Sequence, residues 1–138
     1  MRHGPVELHP IGVVESPVTD PAAAPRQGDE GCPDCWLVFD PTMGIALQGL
    51  HVGTEIIVVT WLHHATRGVL AVHPRGDSSR ARQGVFSTRS PDRPNPIGLH
   101  TVRILALEPT RIRVRNLEAI DGTPILDVKP VLEPRGHR

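Results

Sequence analysis

Three short stretches of the chain carry residue types able to do chemistry. RSPDRPNPIGL (Arg89–Leu99) packs three prolines, two arginines, an aspartate and an asparagine into eleven residues. Each proline fixes its own φ and biases the preceding residue away from the helical region. Arg89, Arg93 and Asn95 are therefore held with little entropy left to lose on binding, and a guanidinium so placed suits a carboxylate or a phosphate. DGTPILDVKP (Asp121–Pro130) repeats the design: a D-G turn, then Pro124, then a strand-like run. Two stiff polar loops at strand ends form either two walls of a ligand pocket or two tight turns, and spacing alone leaves both readings open. The third stretch is WLHHA, which ends an apolar run with His63 and His64. Neighbours on a strand point to opposite faces, so one histidine at most is expected to face a given pocket. A lone histidine there is either structural or pocket-lining.

Other patterns exclude more than they suggest. Cys32 and Cys35 have the C-x-x-C spacing of redox and metal sites. A redox dithiol normally precedes a helix in a βαβ setting, and His63–His64 are poorly spaced to complete a zinc site, so the segment is expected to be an ordinary loop and no metal is expected. Neither a G-x-G-x-x-G turn nor a Walker loop is present, which argues against a Rossmann nucleotide site. G-x-S-x-G and H-E-x-x-H are also missing. Arg75–Asp77 spells an adhesion tripeptide, but the N-terminus shows no secretory h-region. With no run of about 18 apolar residues for a membrane span, a cytoplasmic protein is the expectation.

The chain has 138 residues, enough for one domain over residues 1–138 with a real core. Formal charge is zero overall, yet residues 1–74 hold three arginines against eight acids and residues 75–115 hold nine against three. A basic half-chain could gather phosphates, although solvated strand faces explain the arginines more simply. Two tryptophans, two phenylalanines and no tyrosine leave little for stacking on RNA bases.

These residues must be positioned by strands. Short β-type runs are read at Val6–Val14, Glu55–Leu62, Val69–His73, Gly84–Thr88, Leu99–Leu107, Arg111–Ala119 and Ile125–Leu132. The second is continuous enough to be buried on both faces. In RIRVRNL, Ile112, Val114 and Leu117 point inward and Arg111, Arg113 and Arg115 outward. One short helix is expected after a cap at Asp40, with Met43, Leu47 and Leu50 on one face. Residues 15–36 and 73–83 read as long loops. The sum is an all-β fold, a small closed or nearly closed β-barrel.

IGVVESP, APRQG, WLHH, GVFSTRSPDRPNPIGL and DGTPILDVKP occur in the order found in the TsaA-like (TrmO) family, and on them the chain resembles that family over residues 8–132. The family includes tRNA methyltransferases that N6-methylate threonylcarbamoyladenosine in the anticodon loop. The resemblance implies a TsaA-like barrel binding S-adenosylmethionine outside any Rossmann fold, commonly as a homodimer. It implies cofactor contacts at Pro25, Arg26 and Gln27, at His63 and His64, at Arg89 and Leu99, and at Asp121, Gly122, Thr123 and Pro124. His63, His64 and Asp121 are the candidates for a proton acceptor in the reaction. The expected partner is tRNA; a small-molecule acceptor, or cofactor binding without turnover, is the alternative.

Overall fold

The computed structural model describes residues 3–17, 34–73 and 76–132. Eight strands follow in order: β1 (Gly12–Glu15), β2 (Cys35–Phe39), β3 (Glu55–Trp61), β4 (Ala71–Val72), β5 (Gln83–Gly84), β6 (Ile97–Glu108), β7 (Arg111–Arg115) and β8 (Pro124–Pro130). Six of them close into a barrel in the order β1-β2-β7-β6-β3-β8, and β4 and β5 form a separate two-stranded ribbon. Each neighbouring pair is antiparallel.

Period-two alternation makes this closure possible. On β6, Gly98, His100, Val102 and Ile104 are buried and alternate with exposed neighbours. Ile56, Val58 and Thr60 do the same on β3, as do Cys35, Leu37 and Phe39 on β2. Val14, Leu37, Ile56, Val58, Ile104, Ile112, Val114 and Ile125 fill the interior. Each fully buried aliphatic side chain is worth about 1.5–3 kcal/mol. A barrel filled in this way has no room for a ligand on its axis, so binding must happen at a rim or on a wall. Register shifts at Val59/Thr60 and at Ile104/Ala106 mark irregularities that bend the strands.

Several sequence expectations hold. Asp40 caps a helical segment, its carboxylate accepting from Thr42 N at 3.1 Å. That segment is a 3₁₀ helix, Pro41–Leu47, and Met43, Leu47 and Leu50 pack on the core as expected. Ile112, Val114 and Leu117 are buried.

Others need correction. The Val6–Val14 strand begins only at Gly12, after the exposed stretch that ends in Pro10. The expected strand Val69–His73 shrinks to β4. Gly84–Thr88 is mostly a 3₁₀ turn, Val85–Ser87. There Ser87 Oγ donates to Gly84 O at 2.8 Å and Thr88 Oγ1 to Val85 O at 3.0 Å. Such local side-chain bonds offer the backbone an alternative to a ladder. The apolar run ending in WLHH is not buried on both faces: its outward residues are half-buried on the barrel wall. Finally, the long loop read over 15–36 does not reach Trp36, because Cys35 already opens β2, with its side chain in the core.

The register also orients the barrel. Glu15 pairs with Trp36, Cys35 with Val114, Trp61 with Ile97 and Thr60 with Ile125. The C-terminal ends of β1, β3 and β7 and the starts of β2, β6 and β8 therefore share one rim. From that rim leave the connections 16–34, 62–96 and 116–123. The opposite rim carries the 109–110 turn and residues 40–54.

Candidate functional site

The sequence-predicted site residues fall in the connections that leave this rim or at the strand starts beside it. His63, His64 and Arg89 lie in the 62–96 connection, Leu99 near the start of β6, and Asp121, Gly122, Thr123 and Pro124 where the chain enters β8. Pro25, Arg26 and Gln27 belong to the 16–34 connection but lie outside the described residues, as does Cys32.

The wall at 121–124 is built by its turn. Gly122 has φ +83°, a conformation that L side chains rarely adopt, and its N–H donates to Val14 O at 2.8 Å. Thr123 is buried; its hydroxyl donates to Ile120 O at 2.7 Å, and its carbonyl accepts from Val14 N at 2.9 Å. Asp121 is exposed, and its Oδ1 accepts from Ser16 N at 3.0 Å. The end of β1 and the entry to β8 are thereby locked together, with the Asp121 carboxylate on the surface.

His63 and His64 behave differently from the sequence expectation. β3 stops at Trp61, and a turn closed by Ala65 N donating to Leu62 O at 2.9 Å carries the next residues. Released from strand alternation, both rings lie side by side, with centroids 4.2 Å apart. Desolvation, and then the neighbouring His64, push His63 below the ordinary histidine value. His63 is thus a neutral imidazole near pH 7, chemically able to accept a proton.

The proline-rich loop is braced from within. Arg67 Nε donates to Pro94 O at 2.7 Å and its Nη2 to Asn95 Oδ1 at 2.8 Å, while the guanidinium sits 5.3 Å from the Trp61 ring centroid. Thr66 N donates to Asp92 Oδ1 at 2.8 Å. The Arg93 guanidinium donates to Val85 O and, at 3.2 Å, to Thr88 O. Arg93 and Asn95 therefore hold the loop's shape, and Arg89 is the exposed guanidinium left at the rim. Leu99 is half-exposed on the outer wall, opposite Val59.

Just beneath the rim lies a polar pair that the sequence reading missed. His100, only 6 % exposed, places Nε2 2.8 Å from Thr60 Oγ1. Its Nδ1 is buried with no hydrogen-bond partner among the described residues, and Glu118 Oε1 is 3.9 Å away. Burial lowers the His100 pKa to about 4, so at neutral pH the contact with Glu118 joins a carboxylate to a neutral ring. Gly98 makes room for the pair: a Cβ there would stand 2.6 Å from Thr60 Oγ1 and 2.7 Å from His100 Nε2.

The arginine strand is a compensated wall. Arg111 pairs with Glu108 at 2.6 Å and lies 4.0 Å from the Trp36 ring centroid. Arg113 lies 3.7 Å from Asp34, and Arg103 is registered between Glu55 on β3 and Arg115 on β7. Acids matched to arginines along this face support the reading of a solvated strand surface. Cys35 is likewise structural: burial raises its thiol pKa, and its Sγ lies 3.7 Å from Leu117 O. Among the described residues no group of three or more metal-binding side chains converges, and no helix is long and apolar enough to cross a membrane.

The structure is a small closed β-barrel with a filled interior and three connections leaving one rim. The chain belongs to the family described as the tRNA-methyltransferase O N-terminal domain, which it matches over residues 13–134. It is 43% identical over 128 residues to a "Probable S-adenosyl-L-methionine-binding protein" of Methanothermobacter thermautotrophicus, covering 93% of this chain and 91% of the relative. It is also 43% identical over 122 residues to an "S-adenosyl-L-methionine-binding protein" of Archaeoglobus fulgidus, covering 88% and 86%. The fold matches a crystal structure of TrmO from Pseudomonas aeruginosa with TM-score 0.72 and 30% identity over 96% of this chain and 57% of that one. A further TrmO crystal structure gives TM-score 0.75 at 30% identity, with the same coverage. The chain thus spans little more than half the length of those TrmO chains.

Proposed function

We propose that this protein is an S-adenosylmethionine-dependent methyltransferase whose acceptor is the N6 nitrogen of threonylcarbamoyladenosine in the tRNA anticodon loop. The observation that supports the reading is that residues 63–64, 89 and 121–123 belong to connections leaving one rim, with Leu99 and Pro124 at the strand starts beside it, in a chain of this family. The donor set fits the cofactor chemically. Arg89 offers a guanidinium to its carboxylate, and Asp121 a carboxylate to ribose hydroxyls. The backbone around Gly122–Pro124 is fixed firmly enough to read an adenine edge. When bound, the sulfonium supplies an electrophilic methyl group, and the protein's task is positioning.

The acceptor nitrogen has its lone pair delocalised into the purine ring and the carbamoyl group. As the N–C bond forms and the methyl leaves sulfur, the N6 proton must go to a base. His63, held neutral beside His64, is chemically matched to that task. The near full-length likeness to relatives named for cofactor binding alone favours a second reading, in which the acceptor is smaller than tRNA or absent. Nucleoside mass spectrometry of tRNA from a deletion strain decides between them. Loss of N6-methylated threonylcarbamoyladenosine, restored by the gene, is expected. An unchanged nucleoside pool in a strain whose purified protein still binds the cofactor leaves the second reading.

A further inference from the structure

The chain has two phenylalanines, and they are used in opposite ways. Phe39 is core, 5% exposed, whereas Phe86 is 86% exposed. Phe86 tops the Val85–Ser87 turn, directly after the β4–β5 ribbon in the 62–96 connection. Leu70, 68% exposed, lies beneath it, with Leu70 O accepting from Val85 N at 2.9 Å. Leu70, Val85 and Phe86 line a shallow, mainly apolar hollow.

The setting of this aromatic is basic. The described part of the connection holds five arginines against two aspartates, +3 in a chain of zero net charge. Arg93 anchors its guanidinium in the carbonyls of the turn that carries Phe86, and Arg89 follows three residues later, exposed at the rim. Arg80 and Arg82 are exposed on the approach to β5. Unlike Arg111 and Arg113 of β7, those at 80, 82 and 89 have no carboxylate paired to them in the described residues. An exposed aromatic face amid uncompensated guanidinium groups is the chemistry that holds an unpaired base and its flanking phosphates. A second copy of this chain is the poorer occupant, because a two-fold self-contact sets +3 against +3.

We infer that Phe86 is a stacking platform for an unpaired base of the RNA substrate, with Arg80 and Arg82 taking the neighbouring phosphates. The inference rests on the tRNA reading above and supplies the grip that the chain's low aromatic content hides. The platform lies on the same connection as His63, His64 and Arg89.

The test measures binding of a fluorescent tRNA anticodon stem-loop, and of a fully paired RNA duplex, by anisotropy. Proteins are the wild type, Phe86→Ala, Phe86→Leu and Phe86→Trp, each checked for cofactor affinity by calorimetry and for oligomeric state by sedimentation. Loss of one stacked base is expected to weaken stem-loop binding about 5- to 100-fold in Phe86→Ala. Phe86→Trp should keep near wild-type affinity, while Phe86→Leu, equally apolar but without a ring face, should not. Duplex binding, cofactor affinity and oligomeric state should stay unchanged. Wild-type stem-loop affinity in Phe86→Ala or Phe86→Leu overturns the platform and leaves the tRNA reading standing. So does dissociation of a dimer in Phe86→Ala, which assigns the hollow to a second copy. A wild-type protein that binds cofactor but neither binds nor methylates tRNA overturns both.

Discussion

His100 Nε2 lies 2.8 Å from Thr60 Oγ1 inside the barrel, directly under the rim that carries the candidate site. The two residues come from neighbouring strands, and the register that pairs Thr60 with Gly98 puts the glycine beside both. This is a buried polar layer capping an otherwise apolar interior. Its members have measurable consequences for stability that are separate from any role in catalysis.

The first concerns pH. Folded His100 resists protonation until about pH 4, against 6.5 for a free histidine. The unfolded chain therefore takes up this proton earlier, and acid favours unfolding. The stability that depends on a neutral His100 is complete above about pH 6.5 and falls as pH drops towards 4, by roughly 3 kcal/mol in all. Urea denaturation at intervals between pH 7.5 and 4.5 should show this slope for the wild type. His100→Gln should flatten it, leaving only what the other titrating groups contribute. An identical slope in the variant removes His100 as its source.

The second concerns Gly98. An alanine Cβ would stand 2.6 Å from Thr60 Oγ1, 2.7 Å from His100 Nε2 and 3.1 Å from Leu62 Cδ2. Thr60 and His100 are buried and hydrogen-bonded to each other, so they cannot swing aside without breaking their own bond. Gly98→Ala should cost about 1–3 kcal/mol, as overpacking does, read as a lower urea midpoint with unchanged slope. A midpoint equal to wild type means the strands separate more easily than the register implies.

How much of this was legible in the sequence depends on whether the signal was local. The alternation of Arg111, Arg113 and Arg115 with Ile112 and Val114 gave β7 its faces, and the Asp40 cap marked the longer of the helical segments among the described residues. CWLVF alternates equally well, but it follows a proline-rich stretch and a C-x-x-C that draw the eye to loop chemistry, so β2 was overlooked. His100 was missed although it shares parity with Val102 and Ile104, the signal that would place it inside. Its partner Thr60 lies 40 residues away, and such pairings appear only once the register is known. His63 and His64 were read by a strand rule that ceased to apply at Trp61. The bracing roles of Arg93 and Asn95 were illegible for a related reason: their partners Val85, Thr88 and Arg67 are brought to them by the folding of the whole connection.

The third prediction tests the rim itself. Arg89 is the exposed guanidinium of the proline-rich loop, and the loop is braced by Arg67, Asp92 and Arg93 without its help. Arg89→Ala should therefore leave the fold and its thermal midpoint unchanged. Loss of one charge-assisted contact should weaken S-adenosylmethionine binding about 10- to 100-fold by calorimetry. Undiminished affinity excludes Arg89 from the cofactor site.

The last concerns the proton. Three groups on the rim can accept one: His63, His64 and Asp121. Asp121 is already committed to holding Ser16 N at 3.0 Å, so its removal should loosen the wall at 121–124 and appear mainly as weaker cofactor binding. The His63 ring hydrogen-bonds to the backbone of Trp61, two residues before it, and desolvation with the adjacent His64 still keeps it neutral to lower pH than an ordinary histidine. Single-turnover methyl transfer to threonylcarbamoyladenosine-containing tRNA, at saturating cofactor, separates the roles. His63→Ala should lose about 10²- to 10⁴-fold in rate with cofactor affinity close to wild type. Because the His63 pKa is depressed, the wild-type rate should hold as pH falls below the ordinary histidine value and decline only once the ring protonates. His64→Ala relieves the neighbouring pressure on that pKa and should move the decline to higher pH. Asp121→Asn should lose affinity and retain the transfer rate once cofactor is saturating. If all three variants transfer methyl at the wild-type rate, the rim only positions the reactants and the proton leaves to water.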